Sequence, residues 1–362
     1  MSSEQRLIEL RQAIDAVDDE LLVLLNRRAG LTIEVGEVKR AAGAAADEFY
    51  RPEREAQILR RLLGDNPGPL PDEALARLMR EVISSCLALE QVLRVAYLGP
   101  AGTFTHAALL KHFGSAVMPV AQTDVADVFR EVEARVSDYG VVPIENSVGG
   151  SVNQTLDCLA ASNLKICGEV VLAVHHQLLS RAPELAGIGR VYAHEQALEQ
   201  CRSWLDRHLP GIERTALSSN AAAACRAADE PAAAAIASIE AGALYGLPTL
   251  AANIEDNPHN TTRFAVLGRV LPQATDADRT VVMFSMDNRA GALADMLGEL
   301  AARGISMSRI ESRPLHTGVW DYLFFIDILG HVGDPPVAAA LAAMEARAAA
   351  FKVLGSCPRA VI

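Results

Sequence analysis

The sequence predicts a multidomain chain: an all-α module first, a two-lobed α/β module in the middle and an α+β ferredoxin-like module last. Three observations carry this prediction. Apolar residues recur at helical spacing from the start to about residue 93. From residue 94 onward, short apolar runs alternate with amphipathic or Ala-rich stretches, the rhythm of a largely parallel sheet. Beyond a polar linker at 272–278, the pattern over 279–357 reads βαββαβ.

The elements follow in order. Leu7, Leu10, Ile14, Val17, Leu21, Leu24, Leu31, Val35 and Val38 form the apolar seam of one long helix. Arg28 takes a seam position between Leu24 and Leu31. The run 41–46, with Gly43, breaks that helix. A second helix starts near Pro52, with proline in its first turn. The stretch 64–71 is a turn by composition, and a third helix runs over 72–93. In the middle module, strands are predicted at 95–98, 117–120, 140–144, 170–174, 190–193, 233–237 and 263–267, with helices such as 124–135 and 196–208 between them. Its length allows two lobes. In the last module, strands are expected at 280–286, 305–312, 320–329 and 351–354, with helices at 291–303 and 336–349.

Composition removes several classes of function. The 33 Lys and Arg against 45 Asp and Glu give a net charge of −12, whereas a nucleic-acid binder needs a basic face. The same balance gives no attraction to anionic lipid. No stretch has the apolar length of a membrane span, and the first residues carry no signal-peptide pattern. Six scattered cysteines fit neither a zinc site nor a disulfide framework. The expectation is a soluble cytoplasmic protein with reduced thiols.

The helical module concentrates charge where a plain bundle would not. Arg28 sits in the seam, and Arg11 and Lys39 flank it four residues after Leu7 and Val35. Arg54 and Glu55 open the second helix, and Glu90 lies near the end of the third. One arginine on a helix is ordinarily a solvated, snorkelling side chain. Several converging cations call for an anionic ligand. Arg11 and Lys39 are 28 positions apart, about 42 Å on a straight helix, so one small ligand cannot touch both within a chain. A shared ligand requires Arg11 of a second, antiparallel chain. The motifs Leu10-Arg11, Arg27-Arg28 to Lys39, Pro52-Glu53-Arg54-Glu55 and Ser84-Ser85-Cys86-Leu87-Ala88-Leu89-Glu90 resemble the all-helical chorismate mutases over residues 1–93. The resemblance implies an intertwined helical dimer that rearranges chorismate to prephenate. It maps Arg11, Arg28, Lys39, Arg51, Arg54, Glu55, Cys86 and Glu90 onto the substrate site. Lys39 and Glu90 would be catalytic, and Glu55 would take the ring hydroxyl. Arg51 falls where some members carry Asp, and Cys86 where some carry Ser. A pericyclic reaction needs a compact conformer and fixed charges, not a nucleophile.

Strand–loop–helix junctions of the middle module are rich in Gly, Ser, Thr and Asn. They include Gly99-Pro100-Ala101-Gly102-Thr103-Phe104-Thr105, Pro143-Ile144-Glu145-Asn146-Ser147 with Gly149-Gly150, and Ser218-Ser219-Asn220. Each places hydroxyls and N–H groups at a helix start, which suits carboxylate or phosphate. None reads G-x-G-x-x-G, so a dinucleotide site is disfavoured. With His194-Glu195-Gln196 and Asn260-Thr261-Thr262-Arg263-Phe264, the set resembles prephenate dehydratase over 94–271. The resemblance implies two α/β lobes around a cleft, as in periplasmic binding proteins, and the conversion of prephenate to phenylpyruvate. It makes Thr262 the catalytic donor. It assigns Thr103, Glu145, Asn146, Ser147, Gln196, Ser218 and Arg263 to substrate binding, with Arg263 on a carboxylate. Glu195 stands where Pro is common. His175, His176 and His194 are weighed as metal ligands and set aside, because the chemistry needs none.

In the last module, Gly291-Ala292-Leu293 opens a helix and Glu311-Ser312-Arg313-Pro314 ends a strand. Both resemble motifs of the ACT regulatory domain, which implies L-phenylalanine as effector at those seven residues. The three resemblances together imply a bifunctional mutase–dehydratase inhibited by phenylalanine, with no cofactor, no metal, no nucleic acid or membrane partner, and at least a homodimer. A dehydratase with an inactive mutase module is the alternative. A non-catalytic solute-binding protein would need an export signal or a DNA-binding helix, and neither is seen.

Overall fold

The computed structural model describes residues 2–43, 50–287, 289–314 and 322–362. Part of the break expected at 41–46, and the strand start expected at Trp320, lie outside the described residues. The helical module consists of α1 (Ser3–Ala41), α2 (Pro52–Gly64) and α3 (Asp72–Glu90). Ser2 caps α1 by accepting from the Gln5 N–H at 3.2 Å, and Pro52 occupies the first turn of α2. α1 packs on α3 only toward its C-terminal end. Leu7, Leu10, Ile14, Val17, Leu21 and Leu24 are all exposed.

The α/β region runs β1 (Arg94–Leu98), α4 (Phe104–Phe113), β2 (Met118–Gln122), α5 (Val125–Glu133), β3 (Tyr139–Asn146), β4 (Gly150–Ser151), α6 (Asn153–Ala161) and β5 (Lys165–Ala173). It then crosses to a second lobe: β6 (Gln177–Ser180), β7 (Arg190–His194), α7 (Glu195–Gln200), α8 (Arg202–His208), β8 (Glu213–Leu217), α9 (Asn220–Ala228), β9 (Ala233–Ala237), α10 (Ile239–Tyr245) and β10 (Thr249–Ala251). The chain returns to the first lobe as β11 (Thr261–Gly268). The two crossovers pair with each other: Val174 N donates to Asn260 O at 2.8 Å and Ile254 N to His176 O at 2.9 Å. The second lobe is a five-stranded sheet in the order β10-β6-β9-β7-β8. β6, β8 and β10 lack the long apolar runs by which strands were predicted. β8 and β10 are sheet edges, where polar residues such as Glu213, Arg214 and Thr249 meet solvent.

The last module comprises β12 (Asp278–Ser285), α11 (Ala292–Ala301), β13 (Met307–Pro314), β14 (Tyr322–Leu329), α12 (Pro335–Glu345) and β15 (Ala350–Pro358). Its order β13-β14-β12-β15 is ferredoxin-like. β15 runs four residues beyond the predicted 351–354, because 355–358 pair with β12 and touch β5. At that point Gly355 lies against Ile166, where a Cβ would meet the Ile166 carbonyl oxygen. Among the described residues the two modules thereby form one ten-stranded sheet, continuing through β15-β5-β11-β3-β1-β2.

Core packing also ignores the module borders. One apolar cluster joins Leu159, Leu164 and Ile166 to Val281, Phe325 and Leu354. Another joins Tyr50 and Leu93 to Phe113, Tyr139 and Phe264. Arg60 of α2 donates to Thr275 Oγ1 at 2.9 Å, Ala277 O at 2.9 Å and Arg359 O at 3.0 Å, which fastens the helical module to the linker and to the chain after β15.

Candidate active sites

Between α1, α2 and α3 lies a pocket of about 390 Å³. Arg28 and Lys39 reach it from α1, Arg51, Arg54 and Glu55 from the start of α2, and Cys86 and Glu90 from α3. The seam position of Arg28 turns its guanidinium toward α3, 3.5 Å from Val82 O. Lys39 Nζ lies 3.3 Å from Glu90 Oε2. Gly36 makes room for Glu90, since a Cβ there would sit 3.0 Å from Glu90 Cγ. Arg51 lies 3.6 Å from Glu53. Glu55 is the carboxyl that burial pushes up, to about 7, although Arg80 and a hydrogen bond from Tyr50 oppose the shift. Arg11 is exposed and does not line this pocket.

The two α/β lobes enclose a larger cavity of about 640 Å³. Thr103, Gln196, Ser218 and Thr262 line it. Helix starts from both lobes converge here. Thr103 caps α4 by accepting from His106 N at 3.3 Å, and Ser219 caps α9 by accepting from Ala222 N at 3.0 Å. Ser238 caps α10 by accepting from Ala241 N at 3.2 Å. Sequence reading missed Ser238, although it follows the apolar run Ala233–Ala237 as the other polar junctions follow theirs. Among the described lining residues there is no Lys or Arg. The cleft therefore offers an anion hydroxyls and helix N-termini.

Thr262 is held from one side. Asn146 Nδ2 donates to Thr262 Oγ1 at 2.8 Å and to Asn260 Oδ1 at 2.8 Å. The backbone N–H groups of Val148 and Gly149 donate to Asn146 Oδ1 at 3.0 and 2.8 Å, which fixes the orientation of that amide. With its oxygen accepting from Asn146, the Thr262 hydroxyl keeps its own proton to donate elsewhere. Ser147 Oγ accepts from Thr261 N at 2.9 Å, so it holds the entry of β11 and not the cavity wall. A Cβ on Gly149 would sit 2.6 Å from Gln196 Nε2, so this glycine lets the first lobe approach the second.

Four of the expected residues lie off the cavity lining: Glu145, Asn146, Ser147 and Arg263. Side chains alternate along β11, so Arg263, next to cavity-lining Thr262, points to the other face, and Glu145 opposite it points the same way. There Arg263 pairs with Asp327, and lies 3.1 Å from Glu145 and 3.6 Å from Glu169. Burial works against its charge, but Asp327, Glu169 and Glu145 outweigh that and hold its pKa above the ordinary value. Arg263 is thus occupied by the protein's own carboxylates. The crossover histidines are also engaged: His175 Nδ1 lies 2.7 Å from Glu255 Oε1, and His176 Nε2 lies 2.9 Å from Gln200 Oε1.

In the last module, Gly291 has φ +80 and caps α11, followed by Ala292 and Leu293. Only glycine adopts that φ freely. The register Ser285↔Leu323↔Arg313 puts the loop after β12 and the end of β13 at the same end of the sheet. Glu311 accepts from Ser151 Oγ at 2.8 Å, and Arg313 lies 3.2 Å from Asp157, so this strand also leans on the first lobe. Ser312 and Pro314 complete that strand end.

A cation-lined helical pocket, a cleft of hydroxyls and helix starts, and a ferredoxin-like module together define a two-site enzyme with a regulatory domain. Residues 10–91 match chorismate mutase type II, 95–271 match prephenate dehydratase, and 280–346 match the ACT domain. The bifunctional chorismate mutase/prephenate dehydratase of Stutzerimonas stutzeri is 49% identical, with 100% of each chain covered. That of Neisseria gonorrhoeae is 50% identical over 99% of each. The crystal structure of a prephenate dehydratase from Arthrobacter aurescens in complex with L-Phe superposes with a TM-score of 0.69 at 39% identity, covering 74% of this chain and 90% of that one. The chain belongs to the bifunctional chorismate mutase/prephenate dehydratase family, and it is an enzyme with both activities. Among the described residues no helix is long and apolar enough to cross a membrane.

Proposed function

We propose that the pocket between α1, α2 and α3 rearranges chorismate to prephenate, and that the cleft between the α/β lobes converts prephenate to phenylpyruvate. The domains are 1–93, 94–271 and 279–357, and the enzyme works in the cytoplasm. In the first pocket, Arg28, Arg51 and Arg54 hold the two carboxylates. Lys39 and Glu90 face the ether oxygen, Glu55 takes the ring hydroxyl, and Cys86 shapes the floor. The exposed seam of α1 packs against the same seam of a second chain, which brings Arg11 of the partner subunit to the pocket.

In the cleft, the bond from the ring to the leaving carboxylate breaks to release CO2, and its electron pair enters the ring. The ring hydroxyl departs with a proton as water. Thr262 donates to that oxygen, and Thr103, Ser218 and Gln196 position the substrate. Asn146 and Ser147 support this site from behind. The observation that carries the reading is the Asn146–Thr262 hydrogen bond, which leaves the hydroxyl of cavity-lining Thr262 its own proton to donate. L-phenylalanine binds at Gly291, Ala292, Leu293, Glu311, Ser312, Arg313 and Pro314 and inhibits.

The test uses the purified chain with chorismate, following prephenate and phenylpyruvate, with and without L-phenylalanine. Both products should form in sequence, and phenylalanine should suppress the second. Phenylpyruvate from added prephenate but none from chorismate would establish the inactive-mutase alternative.

A further inference from the structure

The dehydratase cleft is backed by a charge cluster that the proposed chemistry does not use. β3 and β11 are neighbours, with Asn146 opposite Thr262 and Glu145 opposite Arg263. Thr262 lines the cleft with Asn146 bonded to it from behind, and the second pair faces the C-terminal module. Behind the sheet, Arg263, Arg279 and Arg309 meet Glu145, Glu169 and Asp327. Arg279 lies 3.2 Å from Glu169 and 3.4 Å from Asp327. Arg309 lies 3.6 Å from both Glu145 and Asp327. The Asp327 side chain, on β14, is 0% exposed, and those of Arg263 and Arg309 are 10% and 6% exposed. Among the described carboxylates of the cluster, Asp327 touches all three arginines.

Adhesion does not require this cluster. The apolar contacts of Val281, Phe325 and Leu354 already join the two modules. Desolvating six charges is costly, and well-packed apolar residues would serve attachment as well. What the ions add is direction, since a guanidinium pinned by three carboxylates holds its own backbone in one place. The backbone held by Arg263 belongs to the residue next to Thr262.

We propose that Asp327 is a positioning residue for the dehydratase reaction: a side chain of the C-terminal module that fixes, through Arg263, the strand carrying Thr262. This deepens the reading of Thr262 as donor and rests on it. Asp327 touches no substrate. With its charge removed, Arg263 pairs with Glu145 and Glu169 alone, and the Asn146–Thr262 pair shifts with the strand. A donor displaced by a fraction of an ångström still binds substrate but loses rate in C–O cleavage.

The experiment measures steady-state rates of the full chain with both substrates. Asp327→Asn should lower dehydratase kcat about tenfold, with KM changed less than about twofold and chorismate turnover unchanged. Arg263→Gln should behave alike, and the double variant should lose no more than the worse single, because both act through one link. Arg309→Lys keeps the charge and shortens the reach. It should give a smaller loss of kcat at constant KM, and serves if Asp327→Asn does not fold. Unchanged kcat in the folded variants, a rise in KM alone, or losses that multiply in the double variant would each overturn the inference. An active Thr262→Ala would remove the donor reading itself. An inactive Thr262→Ala beside a fully active Asp327→Asn would remove only the positioning role.

Discussion

The two candidate pockets offer a dianion opposite means of binding. The helical pocket presents Arg28, Lys39, Arg51 and Arg54 on side chains, with Arg11 remote and exposed on α1, the helix of Arg28 and Lys39. The α/β cleft presents no Lys or Arg among its described lining residues, and relies on capped helix starts and hydroxyls. A rearrangement needs strong point charges at a few atoms, and long side chains can deliver them even from a second chain. An elimination needs one proton at one oxygen, so its parts sit on strands and helix ends fixed by a sheet. The first site is assembled by charge, the second by backbone.

The largest effect expected from this contrast is at Thr262. Thr262→Ala should lower phenylpyruvate formation by about 10²–10⁴-fold, the range for losing a positioned proton donor. Chorismate turnover, measured on the same sample, should stay within about twofold, because the pockets share no residue. Loss of both activities in folded protein would erase the distinction between the sites.

Next comes the proposed sharing of the mutase site between two chains. Arg11→Ala and Lys39→Ala homodimers should each lose about 10²-fold or more in mutase rate. Mixed dimers, made by unfolding and refolding the two together, place both lesions in one site and none in the other. Recovery should reach about a quarter of wild-type activity if half the dimers are mixed. Verified mixed dimers that stay inactive would return Arg11 to a structural role.

What the sequence disclosed follows the same division. The cations of the helical pocket were legible because a charge in an apolar seam breaks a period, and Arg28 does so visibly. Helix starts at Pro52 and Asp72 were legible from proline and turn composition, whereas the one helix expected over 196–208 is two, α7 and α8, that meet at Cys201. The cleft was legible as loops, but not side chain by side chain. Glu145-Asn146 and Thr262-Arg263 each read as one motif, yet alternation turns Thr262 and its partner Asn146 one way and Arg263 and Glu145 toward the C-terminal module. That requires knowing which face of β3 and β11 is covered, which no local pattern states. Ser238 went unnoticed because a lone Ser after an Ala run looks like any cap. The fusion of two sheets at Gly355 was illegible, since it depends on Ile166, far away in sequence.

A smaller effect should come from Gly149, where the backbone approach of the two lobes is at stake. A Cβ there would lie 2.6 Å from Gln196 Nε2, so Gly149→Ala must push Gln196 or open the lobes. Gln196 Nε2 is the tip of a flexible, exposed side chain that lines the cleft, so its amide moves at little cost in stability, and dehydratase kcat/KM should fall about threefold with the mutase untouched. Unaltered dehydratase kinetics would mean that the lobes do not need this contact during turnover.

The smallest effect concerns pH, and it sharpens the contrast because the cleft has no carboxyl of its own to titrate among its described lining residues. In the helical pocket, burial holds Glu55 protonated up to about 7, against the pull of Arg80 and Tyr50. The sign follows from the raised value. The neutral form, and the stability it contributes, is complete below the ordinary value of 4.5 and is lost as pH rises through about 7. Chorismate brings two carboxylates, so an ionised Glu55 adds repulsion, whereas a neutral one can still accept the ring hydroxyl through its carbonyl oxygen. Mutase KM for chorismate should therefore rise between pH 6 and 8 by about threefold, most of the Coulomb penalty being offset by neighbouring cations. Glu55→Gln, neutral at every pH, should keep KM flat across that interval. A wild-type KM that falls as pH rises would show that Glu55 works as a carboxylate, with Arg80 as its counter-ion.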